Sequence, residues 1–210
     1  MEQVWYVAYG SNLSLARFRC YLAGGTPAGG LRRYDGCRSP VDPTEVAGVH
    51  APGGLVFAGR STVWGGGMAF YDPRSPGRVA CRGYLVTVEQ LADVVAQEMR
   101  RPPGGPFAQA LVEALADAGP VHAMGSGRYE TLTRLGTLHG APMFTVTCGD
   151  PGRLAPVAPS AAYLRCIGAG LHEAHGWDAQ RIASYLSGFP GVRGAWAFDD
   201  LVAVAEPVAT

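Results

Sequence analysis

The chain has no apolar run long enough to span a bilayer and no charged leader followed by an apolar stretch. No secretory signal or membrane span is therefore expected, and a cytoplasmic location is. Excess charge is missing too: 17 basic and 17 acidic residues cancel, and the longest basic runs are the pairs Arg32-Arg33 and Arg100-Arg101. That balance speaks against nucleic acid or an anionic membrane as the partner and leaves a small molecule. Cysteine is scarce. Cys20, Cys37, Cys81, Cys148 and Cys166 are odd in number and include no Cys-x-x-Cys pair, which argues against a disulfide framework or a thiolate zinc site.

What is abundant is glycine and proline, 30 and 16 of 210 residues, dispersed among apolar segments so that they signal turns rather than disorder. The length suits a single domain over 1–210. The stretch Val4 to Leu13 organises the rest. Val4 to Ala8 is β-branched and aromatic and reads as a strand; Gly10-Ser11-Asn12 is a tight loop; Leu13 to Leu22 has helical spacing and stops at Gly24-Gly25. Ser11 or Asn12 is expected to cap this helix, and Gly10 to adopt a positive φ or to let a ligand approach closely. Such a loop can seat a carboxylate or oxyanion on its free N–H groups, or be a plain strand-to-helix connection.

Residues 26–54 show no sustained period and read as long covering loops. Strands are expected over 55–59, 67–71 and 79–87, with Trp64-Gly-Gly-Gly67 marking either a bulge or a close backbone approach. Thr87 and Gln90 form a capping box for a helix reaching Glu98. Val88, Leu91, Val94 and Val95 make its apolar stripe, and Glu98 falls on that stripe. A carboxylate buried there is pushed toward a raised pKa, which suits acid–base work; alternatively it swings out at the helix end and pairs with an arginine. Residues 102–123 hold a second amphipathic helix with Phe107, Leu111, Ala114, Leu115 and Ala118 on one side, expected to wall the site or to make a dimer contact. A hairpin over 131–138 and 142–148, helices capped by Ser160 and Asp178, and an edge strand over 195–205 complete the chain.

His172-Glu-Ala-His175 has its histidines three apart, not the four a helical zinc site needs, and Ser11 lies in no nucleophile elbow. No metal is expected. Gly125-Ser-Gly127 lacks the spacing and the lysine of a phosphate loop.

Tyr9-Gly-Ser-Asn-Leu13, Trp64-Gly-Gly-Gly67, Gln97-Glu98, Gly127-Arg-Tyr129 and Pro159-Ser-Ala-Ala-Tyr163 together resemble, in order, the motifs of the γ-glutamylcyclotransferase family. The resemblance implies an α+β fold, a mixed β-barrel with surrounding helices, and cofactor-independent release of pyroglutamate from a γ-glutamyl amide. It further implies Glu98 as general acid and base, and Tyr9, Gly10, Ser11, Asn12, Leu13, Tyr129 and Tyr163 as substrate-binding residues. Met99 stands where the family has glycine after the glutamate, and the helix over 102–123 is an insertion. An acyl-transferring or amide-hydrolysing relative and a non-catalytic binding protein are the other readings. A homodimer is compatible with the sequence.

Overall fold

The computed structural model describes residues 2–28, 30, 32–117 and 119–207. The apolar opening run forms strand β1 (Gln3–Ala8), and after a one-turn 3₁₀ segment at Ser11–Leu13 the chain enters α1 (Leu15–Ala23). There follow β2 (Glu45–Pro52), β3 (Gly54–Ala58), β4 (Met68–Asp72), β5 (Arg78–Thr87), α2 (Val88–Glu98) and α3 (Pro106–Asp117). The chain continues with β6 (Val121–Ala123), β7 (Thr131–Leu138), β8 (Ala141–Thr147), α4 (Ala161–His175), α5 (Ala179–Ser187) and α6 (Phe198–Ala205).

Six strands form one mixed sheet in the order β2-β5-β1-β8-β7-β6, antiparallel except at the β1–β8 contact, while β3 and β4 pair as a separate hairpin. Because side chains alternate along a strand, β1 sends Val4, Tyr6 and Ala8 into one core and Trp5 and Val7, followed by Tyr9 just past its end, into another. The first core is covered by α1, α2 and α3, the second by α4, α5 and α6.

Among the described residues the six-stranded sheet does not close into the expected barrel. The β3–β4 hairpin likewise stays outside that sheet, and side chains occupy the outer edge of β4. Ala69 N–H donates to the Tyr163 hydroxyl (3.2 Å), Ala69 C=O accepts from the Tyr129 hydroxyl (3.1 Å), and Tyr71 C=O accepts from Thr147 Oγ1 (2.7 Å). Side chains thus take the backbone groups that a neighbouring strand would otherwise pair.

The expected strands at the centre of the chain form, as do the Thr87–Gln90 capping box, the hairpin turning at His139-Gly140, and the caps at Ser160 and Asp178. Three expectations are corrected and one open alternative is resolved. The 26–54 segment is not all loop: 45–52 is an edge strand on β5, its alternating half-burial reflecting cover on one face only. The 195–205 segment is helical, not an edge strand, with Phe198, Leu201, Val202 and Ala205 at helical spacing behind Asp199 and Asp200 in the first turn. Ser14, not Ser11 or Asn12, caps α1. The run Gly66-Gly67 is explained by close approach: it lies against 157–159, with Gly67 N–H bonded to Ala158 C=O at 2.8 Å.

The inserted helix α3 buries Ala108, Leu111 and Leu115 in the same core as α2, while Phe107 lies half-buried beneath the Arg101 guanidinium, 4.1 Å from its ring centroid. Ala118, the last residue of the expected stripe, is outside the described residues. The link into α3 is pinned by buried Asp93 of α2, which accepts from Gly104 N–H (2.8 Å) and from Arg38 N–H (3.0 Å) and Nε (3.1 Å). The stripe is therefore spent on α2. It is neither a wall of the cavity described below nor an uncovered dimer face, since its large residues are already packed. Leu111→Ala should lower stability by about 2–5 kcal/mol in denaturant unfolding and leave the order of preference among substrates unchanged; a variant with wild-type stability and altered preference would return α3 to the role of a wall.

Candidate active site

The 3₁₀ turn after β1 is built from both sides. Its own hydrogen bonds, Leu13 N–H to Gly10 C=O (3.0 Å) and Ser14 N–H to Ser11 C=O (3.2 Å), leave the N–H groups of Ser11 and Asn12 at its open start. Its carbonyls are held from β5, Asn12 C=O by the Tyr84 hydroxyl (2.7 Å) and Leu13 C=O by Arg82 Nη1 (3.0 Å). Gly10 has φ −112°, so the expected positive φ is corrected. The need for glycine is spatial: a Cβ there would stand 2.9 Å from the Tyr163 hydroxyl.

Gly10, Ser11 and Asn12 line a cavity together with Glu98, Tyr9, Tyr129 and Tyr163. Seven of the eight residues implied by the resemblance thus meet in one place. Leu13 does not; it is buried in the core under α4, where Gly170 allows the close approach.

Glu98 is the last residue of α2 and is half-buried, so the enclosure expected from its place on the apolar stripe is not met; the helix ends there and the side chain reaches the cavity. Its Oε1 accepts from Asn12 Nδ2 (3.1 Å), which also reaches the Tyr6 hydroxyl (3.0 Å). Asn12 is 4% exposed, and because its nitrogen must face a carboxylate its Oδ1 points elsewhere, without a partner among the described residues.

Burial pushes the hydroxyls of Tyr6, Tyr9, Tyr21, Tyr129 and Tyr163 well above the ordinary tyrosine range, and the Glu98 carboxylate adds to this at all but Tyr9. They are neutral hydrogen-bonding groups at any physiological pH. Their protons are already assigned in part: Tyr9 donates to Val146 C=O (2.7 Å) and Tyr129 to Ala69 C=O, whereas Tyr163 accepts from Ala69 N–H and keeps its own proton for a ligand.

The sequence reading missed Arg17. It is 4% exposed, its Nη2 donates to the hydroxyls of Tyr21 (3.1 Å) and Tyr34 (2.7 Å), and its Cζ lies 4.4 Å from each of those ring centroids. Its Nε and Nη1 have no partner among the described residues. Burial opposes the charge, but Tyr21, Tyr34 and Glu98 outweigh it and hold the guanidinium above its ordinary pKa. The signal was present: Arg17 shares a helical face with Phe18, Tyr21 and Leu22, the same anomaly of a charge on an apolar stripe that singled out Glu98.

The histidines of 172–175 are structural. His172 Nδ1 bonds with Trp177 C=O (2.9 Å), His175 Nε2 with Cys81 C=O (3.0 Å), and Glu173 pairs with Arg82. Among the described residues no group of three His, Cys, Asp or Glu side chains could hold a metal ion, and no helix is long and apolar enough to cross a membrane.

No family model matches the chain. The solved structure of a γ-glutamyl cyclotransferase is 17% identical, covers 96% of this chain and 99% of its own, and superposes with a TM-score of 0.52. An uncharacterized protein from Homo sapiens is 16% identical over 97% of this chain and 99% of its own, also with a TM-score of 0.52. The chain therefore has a γ-glutamylcyclotransferase-like fold. In sequence, histone deacetylase 5 of Arabidopsis thaliana is 28% identical over 198 residues, 87% of this chain, and the chain spans about 30% of the length of that relative.

Gly10→Ala should displace the Tyr163 hydroxyl and weaken its bond to Ala69 at a cost of about 1–2 kcal/mol. The clash disappears when that hydroxyl is gone. The double variant Gly10→Ala/Tyr163→Phe should then be no less stable than Tyr163→Phe alone, and strict additivity of the two losses in thermal or denaturant unfolding would show that the contact is unimportant.

Proposed function

We propose that the chain is a cofactor-independent cyclotransferase that releases pyroglutamate from a γ-glutamyl amide or γ-glutamyl amino acid. The observation that carries this reading is the Glu98 carboxylate, held by Asn12 at the wall of a cavity lined by the opening turn and the tyrosines. The fold likeness to a γ-glutamyl cyclotransferase supports it.

The reaction joins the substrate's own α-amine to its γ-carbonyl carbon and breaks the bond to the leaving amine. Ring closure needs little beyond geometry: a substrate held with amine against carbonyl gains something on the order of 7–11 kcal/mol from the pre-organised approach. It also needs proton transfer. Glu98 takes a proton from the α-ammonium group and returns it to the departing nitrogen. Asn12 fixes the carboxylate through Nδ2. The N–H groups of Ser11 and Asn12 and the free Tyr163 proton supply donors for the developing oxyanion. Arg17, buried with no carboxylate within ion-pair distance among the described residues, adds a positive field at the cavity floor that draws the substrate's α-carboxylate.

Glu98→Gln keeps size and can still accept from Asn12, so the variant should fold as wild type while turnover falls roughly 10²-fold or more. Mass analysis of products from a panel of γ-glutamyl amines and peptides separates the readings: pyroglutamate supports cyclisation, free glutamate or a transferred acyl group supports hydrolysis or acyl transfer, and binding without product supports a non-catalytic protein. Full activity in folded Glu98→Gln would remove Glu98 from the mechanism.

A further inference from the structure

Charge is unevenly distributed around the cavity. The whole chain is neutral, yet among the described residues four arginines line this cavity, Arg17 at its buried floor and Arg32, Arg100 and Arg128 among its more exposed residues, against the single carboxylate of Glu98. The three outer arginines are held in place by neutral acceptors rather than by carboxylates. Arg32 Nη1 donates to Gln97 C=O (3.2 Å) and its Cζ lies 4.8 Å from the Tyr34 ring centroid; Arg100 donates to Thr62 Oγ1; Arg128 Nη1 donates to Arg60 C=O (3.5 Å). Among the described residues none of the three is in an ion pair. Each has a neutral acceptor within reach, and their charges have no carboxylate partner among the described residues.

Arg100 adds an independent observation. α2 ends with Arg101 N–H bonded to Ala96 C=O (2.8 Å), a closing turn whose left-handed position is ordinarily glycine, and Arg100 occupies it at φ 57°. An arginine there carries backbone strain that glycine avoids. The place immediately after the Glu98-Met99 pair is thus given to a side chain that lines the cavity.

We propose that the outer half of the cavity is an anion subsite for the leaving part of the substrate, and that it selects leaving amines with at least two negative charges, either a pair of carboxylates or a phosphate. This rests on the cyclotransferase reading, in which the γ-glutamyl head occupies the floor. There its α-ammonium faces Glu98 and its α-carboxylate faces the field of Arg17, so the head uses the charges of the floor and leaves three arginines unmatched. A neutral leaving amine would meet them with no charge, and a single carboxylate would meet only one. Low-dielectric walls of tyrosine and Trp64 focus such a field rather than dissipate it.

The test is a charge series at fixed head group: γ-glutamyl-alaninamide, γ-glutamyl-alanine, γ-glutamyl-aspartate, and γ-glutamyl-phosphoserine amide. On the wild-type protein kcat/KM should rise roughly tenfold per added charge at low ionic strength and the rise should shrink with salt. The aspartate and phosphoserine members distinguish the two sources of charge. In Arg32→Gln/Arg100→Gln/Arg128→Gln the dependence on charge should flatten, a ratio that general damage to the fold would not change selectively. A flat series on wild type, a maximum at one charge, or an undiminished slope in the triple variant overturns the proposal. Calorimetry of the same four compounds on Glu98→Gln keeps the two readings apart. If no compound is turned over by wild type but affinity rises with charge and the triple substitution abolishes the rise, the cyclotransferase reading fails and the anion subsite stands; flat affinities overturn the subsite as well.

Discussion

Asn12 has one carboxamide nitrogen with two acceptors 3.0 and 3.1 Å away, the Tyr6 hydroxyl of β1 and the Glu98 carboxylate at the end of α2. Asn12 and Glu98 are 86 residues apart in the chain, and the orientation of the amide follows from the carboxylate, which can only accept. The site's polar geometry depends on that bond. The backbone of Asn12 is in turn fixed by the Tyr84 hydroxyl from β5, so the turn cannot pivot to follow Glu98 if α2 moves. Gln90, Asp93 and Gln97 prevent such movement from the other side by tying α2 to the segment 36–41 through Gln90 Nε2 to Val41 C=O (2.8 Å), Asp93 to Arg38, and Gly36 N–H to Gln97 Oε1 (3.1 Å). Polar residues on the buried side of a helix otherwise carry a desolvation cost; here each has partners.

Much of this was legible because local chemistry and tertiary context agree. Thr87 and Gln90 specify the start of α2, and His139-Gly140 at positive φ specifies the hairpin turn. The failures have equally local causes. Strand β2 was hidden because Gly48 and His50 interrupt the β-branched residues, and its pairing with β5 supplies what propensity lacks. α6 was hidden because Val-Ala-Val suits either period, and burial of Leu201 and Ala205 against α4 and α5 decides for the helix. The barrel was expected from a family likeness, and no sequence pattern announces that tyrosine hydroxyls will occupy a strand edge. In the site, Glu98 stands on an apolar stripe, a pattern that left its role open until the family motifs singled it out. Arg17 shows the same anomaly on α1 but lies outside those motifs.

The inserted helix shows how an addition next to a site can leave the site's lining alone. α3 follows Glu98 within eight positions, yet its apolar residues meet α2 and not the cavity. Its influence on Glu98 is indirect, through Asp93, which serves the insertion and the 36–41 segment at once. The residues flanking the insertion that do reach the cavity are Arg100 before it and Arg128 and Tyr129 after it. The insertion therefore separates in sequence two short segments that remain together in space.

The side-chain fastening of β4 has a dynamic consequence. A two-stranded hairpin is marginal by itself, so β3 and β4 keep their place through what they are fastened to. On the β4 side the fastenings are Tyr129, Tyr163 and Thr147, and breaking them disrupts no ladder bond of the six-stranded sheet. Leu55, Phe57, Ala69 and Tyr71 share one buried core with α4, α5 and α6, so the cavity wall that contains Ala69 rests on the same packing that holds those helices. Amide exchange at Ala69 then reports the integrity of that core together with the Tyr163 contact that protects the amide.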